Sequence, residues 1–316
     1  MNNVKNDKIK VCVHNGMFHA DEVLALAIIM IALGKDNVEY IRSRNSPDFT
    51  NANFVVDVGG IYDGVKFFDH HQNTFFKMHG GTDISYAAAG LLWDKYCFSI
   101  AFMYLADGDI NKINKFYTYV VENLILGVDA TDNGQYKDNN SIHQNTLSSI
   151  VKTFNVDNYL TNLVEQHTAF KQVVEFMYQY LHRFLKNTAN SILDEDIVLN
   201  AFAMSDNGVM VLPKFIPSWK NIILRVDANH KVKVCLVESK PGEWSITSAL
   251  KEANSMEPLC PAPLCLRGIP DTDVVEFAGV IRFIFVHKSG YTGSFKASNK
   301  EEAIRVAEKW VELSNN

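Results

Sequence analysis

Val65-Lys66-Phe67-Phe68-Asp69-His70-His71-Gln72 sets a carboxylate and two imidazoles where a short apolar strand would stop. Three other apolar runs end in the same way. Val11-Cys12-Val13 leads to His14, His19 and Asp21, Phe54-Val55-Val56 leads to Asp57, and Leu124-Ile125-Leu126-Gly127-Val128 leads to Asp129 and Asp132. Open α/β sheets bind ligands outside the carboxyl ends of their strands. Four apolar segments that feed His and Asp toward one edge therefore predict one shared metal site.

Around these runs, strands and helices alternate. Lys8 to Val13 is a strand candidate, followed by His14-Asn15-Gly16 as turn chemistry. Asp21 to Leu33 has the Ala/Leu bias of a helix, with acids in its first turn to suit the helix dipole. Val38 to Ile41 starts the next strand, and Gly59-Gly60 and Asp63-Gly64 turns bracket the following ones. The order β-α-β-β predicts an α/β fold, a mostly parallel sheet flanked by helices. Beyond Ser85 the pattern is helical, with Asn111 to Gly127 and Leu160 to Lys186 as the longest periodic segments. Phe170, Val173, Val174, Met177 and Leu181 form a core stripe on the latter.

After Leu193-Asp194-Glu195-Asp196 the texture changes. Val209 to Leu212, Ile222 to Val226, Val232 to Val237 and Trp244 to Ile246 are expected as antiparallel strands. Val280 to Val286 is a further strand and Lys300 to Leu313 a final helix. The boundary falls between Asn187 and Asn207. It divides the chain into a metal-binding catalytic domain, 1–195, and a smaller α+β substrate-binding domain, 196–316. A chain of 316 residues exceeds the size at which a single core usually keeps growing.

The composition, 47% apolar and 21% charged, is that of a soluble globular protein. A net charge of −6 announces no basic tail, although a local basic groove remains compatible with it. Five scattered cysteines, an odd number, fit a reducing intracellular compartment. The polar, acid-containing N-terminus resembles neither a secretory signal nor a transit peptide. The longest apolar run, Val23 to Leu33, is too short to span a membrane.

A lone His or Asp at a strand end is ordinarily a cap or turn residue. Turn chemistry, however, has no use for His14, His19, His70 and His71 beside Asp21, Asp57 and Asp69. Imidazole and carboxylate together suit Mn²⁺, Fe²⁺, Co²⁺ or Zn²⁺ better than Mg²⁺ or Ca²⁺. The donors exceed what one ion needs. The surplus argues for two divalent ions about 3.5–4 Å apart, bridged by an aspartate, an arrangement that commonly hydrolyses phosphate esters.

Four segments carry a resemblance that covers most of the chain. They are His14-Asn15-Gly16-Met17-Phe18-His19-Ala20-Asp21-Glu22, Asp57-Val58-Gly59-Gly60, Asp69-His70-His71-Gln72 and Gly127-Val128-Asp129-Ala130-Thr131-Asp132-Asn133-Gly134. In that order they are similar to the family named after melanocyte proliferating gene (MYG), a branch of the DHH phosphoesterase superfamily. The stretch Phe285 to Gly293 resembles the family's C-terminal glycine loop. The resemblance implies a DHH-type domain and a 3′→5′ exoribonuclease with two divalent ions, Mn²⁺ first and Mg²⁺ second. The implied substrate is RNA or an oligonucleotide, with no membrane partner, in cytoplasm, nucleus or mitochondrion. Similar proteins have also been described as metal-dependent protein hydrolases. By position, His14, His19 and Asp21 hold one side of the pair, Asp57 bridges, and His70 is a ligand. Asp129 or Asp132 supplies the last carboxylate, with Asp129 preferred. His71 faces the substrate phosphate or supports the ligands, and Asp21, Asp57 and His71 form the expected catalytic set. Glu22 either orients a ligand or is simply a first-turn acid.

Arg42 and Arg44, at the end of the second strand, suit bidentate contact with phosphate. In the second domain Arg267, His287, Gly290 and Gly293 are expected to grip the nucleotide, glycines letting backbone N–H groups approach closely. The family's Lys-Leu-Ser-Ser-Ala-Gly appears as Ser85-Tyr86-Ala87-Ala88-Ala89-Gly90, and its Pro-Trp-Arg-Gly as Leu264-Cys265-Leu266-Arg267-Gly268. These changes bear on substrate grip rather than on the ligands. The competing functions are a small-substrate phosphatase or pyrophosphatase and a non-catalytic nucleotide- or RNA-binding regulator.

Overall fold

Val11, Cys12 and Val13 are wholly buried. In the computed structural model, which describes residues 8–106, 108–137, 145–253, 255–268, 277 and 283–314, they belong to β1 (Ile9–Val13). This strand lies inside a four-stranded sheet with β2 (Val38–Arg42), β3 (Phe54–Val56) and β4 (Phe67–Phe68), in the order β2-β1-β3-β4. All three pairings are parallel. Val13 is in register with both Arg42 and Val56, and Val56 with Phe68. The four strands thus stop at one level, and the next residues, His14, Ser43, Asp57 and Asp69, line a common edge.

Helix α1 (Ala20–Leu33) crosses from β1 to β2 and is buried continuously from Ala20 to Met30. A helix apolar all round belongs inside a core, and α1 packs against the sheet and against α3 (Ala88–Leu105). A short α2 (Ser46–Asn51) precedes β3. Next come α4 (Ile110–Val120), a π-helical turn over Val121–Ile125, and α5 (Leu126–Asp132). The apolar run Leu124 to Val128, grouped with the strand ends but overlapping the expected helical segment Asn111 to Gly127, is helical. It continues the periodic segment before it, and Asp129 and Asp132 fall one turn apart on α5. Helices α6 (Leu147–Lys152) and α7 (Leu163–Leu193) complete the first half. The expected core stripe on α7 is buried, including Phe170, Val173, Met177 and Leu181.

The chain divides into two compact units, Met1–Ile192 and Leu193–Asn316. The second unit contains α8 (Glu195–Ala203), β5 (Val209–Leu212), α9 (Trp219–Val226), β6 (Val234–Lys240), β7 (Glu243–Ser248), β8 (Phe283–Val286), β9 (Thr292–Lys296) and α10 (Lys300–Ser314). Its sheet order is β5-β6-β7-β9-β8. Two expectations fail here. Ile222 to Val226 is helix, because Trp219, Ile222 and Ile223 are buried at i, i+3, i+4 spacing. That helix is a crossover, so β5 and β6 pair parallel rather than antiparallel. The strand expected from Val280 is seen from Phe283; Val280, Ile281 and Arg282 lie outside the described residues, as do Met1 to Asp7 of the N-terminus. No helix among the described residues is long and apolar enough to cross a membrane.

Candidate metal centre

The loop from β1 to α1 brings His14, His19, Asp21 and Glu22 to the strand edge. His14 Nδ1 is 3.0 Å from the Asn15 carbonyl, which can only accept, so Nδ1 carries the proton. Its Nε2 then faces Glu22 Oε1 at 2.9 Å and Asp57 Oδ2 at 3.3 Å. Both Glu22 oxygens accept from the His19 backbone N–H, at 3.0 and 2.9 Å. The loop is held from outside. Gly16 O accepts from Arg42 Nη2 at 2.7 Å and Gln166 Nε2 at 2.9 Å. The Asn155 amide brackets Phe18, accepting from its N–H at 3.0 Å and donating to its carbonyl at 2.9 Å. Gln166, itself 1% exposed, also donates to Asn155 Oδ1 at 2.6 Å.

Asp57 ends β3 with φ 55°, a left-handed conformation uncommon for a residue with a Cβ. Gly59 and Gly60 follow with φ 102° and 66°, and Gly60 N–H donates to Asp69 Oδ2 at 2.6 Å. The other Asp69 oxygen is 2.7 Å from His71 Nδ1. His70 points inward. Asn133 Nδ2 donates to the Ser85 and Asp129 carbonyls at 3.0 and 2.9 Å, which leaves Asn133 Oδ1 to accept from His70 Nδ1 at 3.2 Å. His70 Nε2 is thereby aimed at Asp132 Oδ2, 3.0 Å away, and Asp57 Oδ1, 3.5 Å away.

The two aspartates of α5 separate here. Asp132 enters the cluster. Asp129, wholly buried, binds instead to His79 Nε2 at 2.7 Å and accepts from the Gly90 N–H at 3.2 Å. The preference for Asp129 over Asp132 as the last carboxylate is not what the geometry favours, because its oxygens face the start of α3. A Cβ on Gly90 would lie 2.0 Å from Asp129 Oδ2, so only glycine admits that carboxylate. Asp21 accepts from the Ala88 and Ala89 N–H groups at 2.9 and 2.7 Å. Ala87, the residue before α3, offers no side-chain oxygen, and remote carboxylates cap the helix instead.

Among the described residues three donor groups result: His14, His19, Glu22 and Asp57; Asp21, Asp57, His70 and Asp132; and Asp57, Asp69, His70 and His71. Within each, the candidate ligand atoms lie within 4.8 Å of one another, and Asp57 belongs to all three. Bonds of about 2.0–2.2 Å to a divalent ion place neighbouring donors roughly 3–3.5 Å apart, which is the spacing found between His14, Asp57, His70 and Asp132. Asp57 Oδ1 and His70 Nε2 are buried and, among the described residues, make ion-pair contacts but no hydrogen bond. A buried polar atom left unpaired is costly, and both face the shared centre. The donor set therefore fits divalent metal.

The electrostatics agree. Burial opposes charge on the His14 ring, yet Glu22 and Asp57 push it up to about 10. Burial likewise opposes charge on His70, and Asp132, Asp57 and Asp21 push it up to about 11. Asp57 is held well below the usual carboxylate range: its burial is overcome by the rings of His14 and His70. Asp21 is driven upward, first by burial and then by the charges of Asp57, Asp132 and Asp129. The carboxylates need more positive charge than the imidazoles provide.

The cluster opens into a cavity of about 810 Å³. His14, His19, Asp21, Asp57, Asp69, His71 and Asp132 reach it, as does Arg44. Arg42 does not: its guanidinium holds Gly16 and lies 4.5 Å from the Phe170 ring centroid and 5.4 Å from that of Phe18. The sites expected in the second unit form their own corner. Arg267 Nε donates to the Ala262 carbonyl at 2.7 Å, and Ala262 N–H to Gly290 O at 2.8 Å. A Cβ on Gly290 would sit 2.7 Å from Ala262 N. His287 Nδ1 is 2.7 Å from Ser289 Oγ. Gly293 lies inside β9 against Trp310 and answers to packing rather than to a loop.

Sequence reasoning missed His79, Asn133, Asn155, Gln166 and the α6 residues at the cavity. Single polar residues with no neighbours of their kind leave no local signal. Their partners are brought from far along the chain.

Residues 10–311 match the family model MYG1_exonuc, described as an uncharacterised protein family (UPF0160). The chain is 28% identical to the MYG1 protein of Saccharomyces cerevisiae, over 97% of this chain and 98% of that one. It is 28% identical to the MYG1 exonuclease of Mus musculus, over 94% of this chain and 83% of the other. With the MYG1 exonuclease of Homo sapiens the identity is 27%, over 94% and 84%. No solved structure is significantly similar.

Proposed function

This chain belongs to the MYG1_exonuc family, and from the cage its residues build we propose that it is a divalent-metal-dependent phosphodiester hydrolase of the DHH phosphoesterase type, a 3′→5′ exoribonuclease. The observation that carries this reading is Asp57, a buried carboxylate common to three donor groups, with one oxygen that makes no hydrogen bond among the described residues. A carboxylate so placed suits bridging two ions. His14, His19, Glu22 and Asp57 would hold one ion, and Asp21, Asp57, His70 and Asp132 the other, with Mn²⁺ best matched to this mixture of imidazole and carboxylate. When bound, the ions would acidify a shared water and neutralise charge on the scissile phosphate.

The chain's own residues supply the rest. Asn15 and Asn133 fix the His14 and His70 tautomers, so both rings present Nε2 to the centre. His71 reaches the cavity with its side chain 61% exposed. The hydrogen bond that the ring donates to Asp69 is the largest influence on it and raises its affinity for a proton. A protonated His71 can donate to a phosphate oxygen or to the departing oxygen of the shortened strand. Gly59 and Gly60 let the main chain pass close to the site. Relatives named MYG1 exonuclease support a nucleic acid as the substrate, and five free cysteines suit an intracellular setting.

The test is direct. Purified protein with Mn²⁺ should shorten a 5′-labelled oligoribonucleotide in single-nucleotide steps, and Asp57→Asn should not. Cleavage of pyrophosphate or a phosphomonoester alone, with the oligonucleotide left intact, favours the small-substrate phosphatase. Binding of the oligonucleotide without any cleavage favours the regulator.

A further inference from the structure

The cavity above the cage has an unexplained cationic side. Lys152, the last residue of α6, and Arg44, two residues beyond β2, both line it. Both are exposed, and neither has an ion-pair or side-chain hydrogen-bond partner among the described residues. Other cations of the same unit behave otherwise: Arg42 holds Gly16, and Lys77 pairs with Asp94 at 2.8 Å. Helix α6 is docked on α1 and α5, the helices that carry Asp21, Glu22 and Asp132. Asn155, just after α6, holds the metal-site loop at Phe18. The backbone bearing Lys152 is thus fixed relative to the cage.

Charge decides what this side is for. Ions in the cage would offset the charge of one phosphate, the one being cut. A nucleotide chain carries a second phosphate one residue further on, and the acidic wall repels it. Unpaired Arg and Lys on the same cavity meet that need, and Thr146 and Ser148, also lining it, add hydroxyls. The volume of about 810 Å³ lies near the upper end of ordinary small-molecule pockets, more than one phosphate requires.

We propose that Arg44 and Lys152 bind the non-scissile phosphate adjacent to the cut, which makes the site selective for oligonucleotides of two or more phosphates over single-phosphate esters. This rests on the hydrolase reading for its substrate but not for its test. Fluorescence anisotropy with a labelled phosphorothioate trinucleotide measures binding without turnover. Bis(p-nitrophenyl) phosphate, which has one phosphate, reports hydrolysis without the clamp. Arg44→Ala and Lys152→Ala should each weaken trinucleotide binding about tenfold. Each should lower the slope of log affinity against log salt by about one. Lys152→Arg should restore binding. Lys152→Ala and Lys152→Arg should keep hydrolysis of the small diester within about twofold of the parent.

Unchanged binding in the double variant overturns the clamp. So does an equal loss on the small diester, which would assign these side chains to the cage or to its support. A parent protein that cleaves the small diester but does not bind the trinucleotide sinks the clamp alone. A parent that binds the trinucleotide through Lys152 yet cleaves neither substrate sinks the hydrolase reading and leaves the clamp standing.

Discussion

Each unit contains two parallel strands joined by a crossover helix, β1-α1-β2 in one and β5-α9-β6 in the other. The strand ends differ. Beyond β1 stand His14 and His19, whereas β5 is followed by Pro213 and Lys214, whose ammonium pairs with Asp194 at 2.7 Å. Each unit also buries an aspartate. Asp227 in the second gives its two oxygens to the Lys231 and Val232 N–H groups, both at 2.8 Å. Asp57 in the first keeps Oδ1 without a hydrogen bond among the described residues, 3.5 Å from both the His70 and the His71 rings. Topology brings chain ends together in both units, but only unsatisfied donors turn such a place into a ligand site.

The sharpest way to break this comparison is to neutralise both aspartates. Asp57→Asn should reduce oligonucleotide cleavage by roughly a thousandfold or more and lower the Mn²⁺ stoichiometry measured by calorimetry. Comparable Mn²⁺ binding by Asp57→Asn and the parent would remove the distinction.

Metal removal comes next. Saturation at about a hundred times the dissociation constant adds roughly 2.7 kcal/mol, so chelation should lower the melting temperature by about 5–10 °C. Hydrogen exchange should locate the lost protection in residues 14–22, 57–60 and 126–132, with β5 to β7 unaffected. Loss spread evenly over both units would count against a centre confined to the first.

The outer supports of the β1–α1 loop should matter less. Gln166→Ala removes hydrogen bonds to Gly16 and Asn155, and should weaken Mn²⁺ binding about tenfold while costing about 1–3 kcal/mol of stability. Unaltered metal affinity at reduced stability would make the Gln166 support a matter of folding only.

The chelated protein should also respond to pH. His14 and His70 have folded values of about 10 and 11 against an ordinary 6.5. Protons bound there stabilise the fold fully below pH 6.5, and that contribution is lost as pH rises through 10 to 11. Asp21 and Glu22, both raised by burial, act in the same direction. The melting temperature of chelated protein should therefore fall between pH 6.5 and 9.5, and Mn²⁺ should flatten the slope. A flat profile without metal would contradict the shared-proton network. The smallest effect belongs to Asp227→Asn, which should cost about 1–2 kcal/mol in denaturant melts and leave Mn²⁺ affinity unchanged.

How far the chain could be read in advance varied with the range of the signal. Val11 to Val13, Phe54 to Val56 and Phe67-Phe68 are short apolar runs ending in polar residues, and the parallel, helix-flanked sheet followed from their alternation with helical stretches. Ile222 to Val226 looked like one more such run. Four apolar residues around Arg225 suit a strand or a helix equally, and Trp219, three residues before Ile222, carries the deciding spacing. With the crossover unseen, the pairing of β5 with β6 was assigned the wrong direction.

The same limit applied at the centre. Asp129 and Asp132 are equivalent in composition and nearly so in position. His79, fifty residues upstream, and the start of α3 engage the first, and the π turn before α5 belongs to the helix that carries both. Arg42 and Arg44 also read alike, until Gly16 and the Phe18 and Phe170 rings occupied one of them.

From its residues alone the chain established a parallel α/β sheet, the edge where chemistry could gather, and the kinds of donor available there. Those properties depend on neighbours in sequence and on which side chains water rejects. Only the folded structure decided which oxygen, nitrogen or guanidinium stays free. That choice belongs to partners tens to more than a hundred residues away, and a lone pair already held by a distant N–H cannot serve an ion or a substrate.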